Sequence, residues 1–146
     1  MKVLMVCLGN ICRSPLAHGI LEAKAPSNWL VDSAGTSGWH EGERPDTRSI
    51  LTAKGRGLNI DSQRSRPFTI KDFDEFDIIF AMDQSNFQNI INLTRTVEDE
   101  EKVKLILNEI DIENNSVPDP YYGGDNGFDE VYKMLDEACS IVAKKL

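Results

Sequence analysis

Four short apolar runs divide this chain, and that division constrains the fold more than any other feature. They are "KVLMV" (2–6), "WLVDSAG" (29–35), "FDIIFAM" (76–82) and "KVKLIL" (102–107). Each has the length and apolar continuity of a buried strand. Helical segments stand between them. "SPLAHGILEAK" places apolar residues at 16, 17, 20, 21 and 23, with Ser14 as the expected cap and Pro15 in the first helical position. "DTRSILTAKGRG" reads as a helix stopped by Gly55 and Gly57, and "DQSNFQNIINL" as one capped by Asp83. From Phe128 to Leu146 apolar residues recur at helical spacing, which predicts a long amphipathic closing helix. Strands alternating with helices imply an α/β fold: three layers, a four-stranded parallel sheet flanked by helices. Ligands of such sheets sit beyond the carboxyl ends of the strands. Cys7 lies at one of those ends.

The size and charge of the chain narrow its partners. With 146 residues, one domain spanning 1–146 is expected, large enough for a core without staples. The balance of 16 Lys+Arg against 24 Asp+Glu gives a net charge of −8, which argues against nucleic acid and anionic membrane as partners. A small anion is still compatible, because backbone amides and one arginine can make a locally positive pocket. The opening apolar run is too short for a signal peptide and leads straight into Asn10, Arg13 and His18. Three cysteines make an odd count with no disulfide framework, so a reduced, cytoplasmic protein is expected.

Two of those cysteines fall in "VCLGNICRSPLA" (6–17), the segment where chemistry concentrates. A strand ending at Cys7, a loop containing Gly9 and Asn10, and a helix beginning near Ser14 form an anion cradle. Loop N–H groups can turn inward, and the helix N-terminus adds roughly half a positive charge. Gly9 and Asn10 tolerate the left-handed backbone that a concave loop needs. That field favours a thiolate at Cys7. Arg13 can grip two phosphoryl oxygens in a planar fork. Ser14 can donate its hydroxyl to the sulfur. A buried structural cysteine and a solvated arginine are the bland alternative. The six-residue spacing, followed by Ser-Pro at a helix start, favours the functional reading.

"VCLGNICRSPLA" resembles the phosphate-binding loop of the low-molecular-weight protein tyrosine phosphatases. "VDSAGTSGWH", "GLNIDSQRSRP", "FDIIFAMDQSN" and "VPDPYYGG" resemble further segments of that family, in its order and near its length. The resemblance implies the family's fold, with flavodoxin-like winding. It makes Cys7 the nucleophile and Arg13 the phosphate clamp, with the Leu8–Arg13 backbone (Leu8, Gly9, Asn10, Ile11, Cys12, Arg13) binding phosphate. Asn10, Ser14 and Ser33 become the polar residues that hold the loop. Family members often have histidine where Ser62 stands, so a shorter contact or none is expected there.

Taken alone, the Asp-Pro step in "DPYYGG" is a turn former. The resemblance makes Asp119 the general acid, which protonates the leaving phenolate and then activates water against a phosphocysteine. Trp39, Tyr121 and Tyr122 become aromatic walls around the substrate ring. Cys12 becomes a redox partner that pairs with oxidised Cys7. The implied partner is a tyrosine-phosphorylated protein, a bacterial tyrosine kinase among the candidates, with inorganic phosphate as product and inhibitor. No metal or cofactor is expected. His18 and His40 are expected to face solvent, Cys139 to sit in the core, and "EDEE" (98–101) to form a solvated turn.

Three other readings use the same segments. Protein arginine phosphatases share the scaffold, but their loop carries threonine where this chain has Ile11, and an apolar residue there favours an aryl phosphate. Thiol-coupled arsenate reduction needs resolving cysteines late in the chain, where only Cys139 occurs. A non-catalytic phosphotyrosine-binding module would have lost Cys7, Arg13 or Asp119, and all three are present.

Overall fold

The computed structural model describes residues 1–110, 116–120 and 126–146. Four strands, β1 (Lys2–Cys7), β2 (Leu30–Gly35), β3 (Ile78–Ala81) and β4 (Val103–Leu105), form one parallel sheet in the order β2-β1-β3-β4. The helices are α1 (Arg13–Lys24), α2 (Thr47–Lys54), α3 (Lys71–Glu75), α4 (Gln84–Ile91), α5 (Val97–Lys102) and α6 (Asn126–Lys145). The strand alternation sorts the core into two layers. Val3, Met5 and Cys7 of β1 face α1 and α6, while Leu4 and Val6 face Phe73, Phe76 and Ile90 on the opposite side. The strand order reverses between β1 and β3, which opens a crevice at their carboxyl ends. Cys7 ends β1 and Asp83 follows β3 by two residues, so the fold delivers both to that crevice.

Several element boundaries differ from the sequence expectation. Ser14 does not cap α1; the helix begins at Arg13 with Cys12 in the cap position and no side-chain cap bond. The Ser14 hydroxyl is taken instead by Cys7 and Asn10. The fourth strand ends at Leu105 and gives way to a 3₁₀ turn over Ile106–Glu109. Its partner β3 ends opposite it, at the Ala81–Leu105 pair, so the backbone beyond must satisfy itself locally. The acidic run 98–101 lies in helix α5, not in a turn. Thr96 accepts from the Asp99 amide while Asp99 accepts from the Arg95 amide, a reciprocal cap, and the acidic residues suit the helix N-terminus. Helix α3 was not anticipated, and Leu146 is exposed beyond α6 where the spacing placed it in the core. Cys139 is fully buried, as expected.

Candidate active site

The segment from Cys7 to Arg13 is a loop whose carbonyls turn outward. The Cys7 and Leu8 carbonyls accept from the Thr36 and Ser37 amides, both at 2.9 Å. The Gly9 carbonyl accepts from the Ser65 hydroxyl at 3.0 Å. The Ile11 carbonyl accepts from the Asp46 amide at 2.7 Å, and the Cys12 carbonyl from the Ser49 hydroxyl at 3.3 Å. With carbonyls tied outward, the amides between them are left for the interior, the polarity an anion cradle requires. Asn10 provides the sharp bend with a left-handed φ of 56°.

The Cys7 sulfur lies at the floor of this loop. The Asn10 amide donates to Sγ at 3.3 Å, and Ser14 Oγ lies 3.1 Å from it. Because Ser14 Oγ already accepts from Asn10 Nδ2 at 2.8 Å, its own proton is available to the sulfur. Asn10 Oδ1 in turn accepts from the Arg66 amide at 3.1 Å. Ser62 is exposed and takes no part among these bonds; the backbone of Arg66 and the hydroxyl of Ser65 do. Ser33 was expected to hold the loop, but its hydroxyl lies 3.2 Å from His18 Nδ1 on α1, two residues down β2 from the loop end of the sheet. That same contact half-buries His18, which the sequence reading had placed in solvent.

Arg13 is 3% exposed, and three groups orient it. Its Nη1 donates to Asp83 Oδ2 at 2.6 Å and to the Val117 carbonyl at 3.0 Å, and Nη2 lies 3.7 Å from Asp119 Oδ2. Burial works against the guanidinium charge, but Cys7, Asp83 and Asp119 outweigh it and hold the pKa above its usual value. Asp83 serves twice, since its other oxygen caps α4 through the Asn86 amide at 2.7 Å. Sequence reasoning found only the cap. The signal for the second role was its place just past the carboxyl end of β3.

Cys7, Leu8, Gly9, Ile11, Cys12, Arg13, Trp39, His40 and Asp119 line a cleft of about 110 Å³. Asp119 is about one-third exposed and lines the same cleft as Cys7. Trp39 stands at the mouth, 78% exposed. His40 is 30% exposed, open to solvent on one side and resting against the loop on the other: a Cβ on Gly9 would meet His40 Cδ2 at 3.0 Å. Its Nδ1 lies 2.9 Å from Glu43 Oε2. Tyr121 and Tyr122 lie outside the described residues. Cys12 packs with Ile11 and Phe128. Burial first, then the charges of Asp46, Cys7 and Asp119, push its thiol up to about 12 against the pull of Arg48. Cys7, Cys12 and Cys139 are all free thiols. A buried thiol, a ring of amides, an oriented arginine and a carboxylate in the same cleft can together bind a tetrahedral oxyanion and exchange a proton with a group attached to it.

Comparison with known proteins agrees with this geometry. The family model described as low molecular weight phosphotyrosine protein phosphatase matches residues 2–146. The low molecular weight phosphotyrosine protein phosphatase of Schizosaccharomyces pombe is 40% identical over 142 residues, 92% of this chain and 89% of that protein. A crystal structure of a protein tyrosine phosphatase from Entamoeba histolytica, with Hepes in its active site, superposes with a TM-score of 0.94. It is 38% identical, and the match covers 99% of this chain and 96% of that one. A Drosophila arginine phosphatase superposes with a TM-score of 0.93 at 35% identity, covering 99% of this chain and 97% of that one. The chain belongs to the low molecular weight phosphotyrosine protein phosphatase family, a family of hydrolases.

Proposed function

We propose that this protein hydrolyses phosphotyrosine in proteins, and small aryl phosphates, in two steps through a phosphocysteine. In the first, Cys7 Sγ attacks phosphorus in line, the bond from phosphorus to the phenolic oxygen breaks, and Asp119 gives that oxygen its proton. In the second, the Asp119 carboxylate takes a proton from water as the water oxygen attacks phosphorus. The S–P bond then breaks, returning the thiolate and releasing inorganic phosphate. Arg13 and the loop amides stabilise the equatorial oxygens in both steps. The observation that carries this reading is the convergence of Cys7, Arg13 and Asp119 on one cleft, with Arg13 Nη2 3.7 Å from Asp119. A tyrosine leaving group, with a pKa of about 10, is expelled far more readily than a serine alkoxide.

The likeness to an arginine phosphatase supports a second reading, cleavage of phosphoarginine by the same groups. Ile11 lines the cleft and offers no hydroxyl to a guanidinium, which favours the aryl substrate. Turnover of matched phosphotyrosine and phosphoarginine peptides under reductant tests the choice. Phosphotyrosine cleavage alone supports the first reading, and phosphoarginine cleavage alone replaces it.

Product phosphate competes for the same cradle and acts as an inhibitor in this scheme. A thiol nucleophile needs a reducing compartment, which suits a cytoplasmic tyrosine-phosphorylated protein as substrate, a bacterial tyrosine kinase among the candidates. Cys12 is proposed to protect Cys7: peroxide oxidises Cys7 to a sulfenic acid, and Cys12 sulfur displaces water from it to form a disulfide.

A further inference from the structure

The five outward carbonyls of the loop are held by three backbone amides and two serine hydroxyls, Ser49 and Ser65. Ser65 is the one bound to the peptide unit that faces the sulfur. That unit joins Gly9 to Asn10: its carbonyl accepts from Ser65 Oγ at 3.0 Å, and its amide donates to Cys7 Sγ at 3.3 Å. The two bonds run in opposite directions because carbonyl and amide of a trans peptide point to opposite sides. The unit lies between a glycine and an asparagine at φ 56°, the pair in the loop best able to rotate the plane between them. Rotated, it would present a carbonyl oxygen to the sulfur, an acceptor where the anion needs a donor.

We infer that Ser65 is a positioning residue of the site, its hydroxyl locking the Gly9–Asn10 peptide with the amide toward Cys7. Ser65 is suited to that task because it is itself fixed. It is 5% exposed, its amide donates to the Glu43 carbonyl and its carbonyl accepts from the Gly42 amide, both at 2.8 Å. The next residue, Arg66, holds the Asn10 side chain. The segment 65–66 therefore clamps both halves of the bend and ties it to the rim loop that carries Trp39 and His40.

The inference deepens the hydrolytic reading and rests on it only for its kinetic consequence. The test compares wild type with Ser65→Ala and Ser65→Thr, using two readouts that need no turnover. One is the pH profile of Cys7 alkylation by iodoacetamide, localised by mass spectrometry; the other is the affinity for inorganic phosphate by calorimetry. Losing one hydrogen bond to an anionic site should lower the low-pH limb of the alkylation profile and the phosphate affinity by about fivefold each in Ser65→Ala. Ser65→Thr, which keeps a hydroxyl, should restore both. A wild-type profile and phosphate affinity in Ser65→Ala would overturn the assignment. A threonine variant displaced as far as the alanine one would also overturn it, by tracing the effect to packing. Failure of the hydrolytic reading would look different: wild type would alkylate and bind phosphate yet cleave no phosphotyrosine, with the Ser65 comparison still decided by its own readouts.

Discussion

Arg13 Nη1 donates to the Val117 carbonyl at 3.0 Å, and the Val117 amide donates to the Met82 carbonyl at 2.7 Å. Arg13 thus holds the segment that carries Asp119, two residues on, and that segment is anchored in turn just past the end of β3. The two side chains share one framework. On the proposed mechanism, a change that moves the guanidinium should disturb proton transfer as well as binding.

Asp83→Asn tests what orients Arg13. Asparagine keeps the α4 cap, because both side chains cap well. It removes the charge that faces buried Arg13 at 2.6 Å. The expected result is a fall of about 10–100-fold in kcat/KM, the cost of weakening a buried charged hydrogen bond, with a lowered Tm because Arg13 keeps its buried charge while a partner is lost. Steady-state kinetics and thermal unfolding on the same samples check both parts.

Asp119→Asn should lower kcat on phosphotyrosine by about 10²–10³-fold with a much smaller change in KM, since proton transfer is lost while Asp83 and the Val117 carbonyl still hold Arg13. The loss should shrink on an aryl phosphate whose leaving group is much more acidic than tyrosine. A deficit independent of leaving group would remove Asp119 from the acid role.

Asp46 tests the support beneath the loop. It caps α2 by accepting from the Arg48 amide, and its own amide holds the Ile11 carbonyl. Its pairing with Arg48 outweighs partial burial and holds the carboxyl below its ordinary range. A depressed native pKa stabilises the fold above the unfolded value of about 3.9 and loses that contribution as pH falls through the native one. Asp46→Asn keeps a capping side chain without the charge. Its stability should lie below wild type at neutral pH, and the two should converge as the medium is acidified below the carboxylate range. Urea unfolding at a series of pH values measures this.

Gly19 sits inside α1, where alanine is favoured by about 1 kcal/mol on helix propensity. A Cβ there would lie 2.6 Å from Ile60 Cγ2, a residue 1% exposed. Overpacking of that kind costs about 1–3 kcal/mol, so Gly19→Ala should lower stability in spite of the propensity gain. Denaturant unfolding decides the sign.

Cys12, with its thiol pushed up to about 12, should resist alkylation at neutral pH while Cys7 reacts. After peroxide, Cys12→Ser should recover less activity on reduction than wild type. Full recovery without Cys12 would end its protective role.

The parallel sheet and the loop from Cys7 to Arg13 were legible because both are written locally. β1 is one apolar run, and Cys7, Gly9, Asn10 and Arg13 lie within seven residues of one another. Of the supports of the site, Asn10 and Ser14 within the loop were legible and the distant ones were not. Asp83 reaches Arg13 across 70 residues and Ser65 reaches Gly9 across 56; the place of Asp83 just past β3 hinted at the first meeting, and nothing in the sequence near Ser65 marks the second. Of the two roles expected for Ser14, the contact with the sulfur is made and the helix cap is not, because the two loop partners take the hydroxyl. His40 is part-exposed on the rim, as expected there, but that its ring also rests against the loop depends on the absence of a side chain at Gly9, 31 residues away and unmarked near His40.

The most direct measurement of the central claim is a rapid-quench single turnover of a phosphotyrosine peptide, with the covalent product located by fragmentation. Cys7 and Cys12 share the tryptic peptide ending at Arg13, so the experiment is run beside Cys12→Ser. The account predicts a phosphoryl increment on Cys7 that forms before phosphate is released and is present in both proteins. Turnover with no covalent increment, or an increment on any other residue, would contradict it.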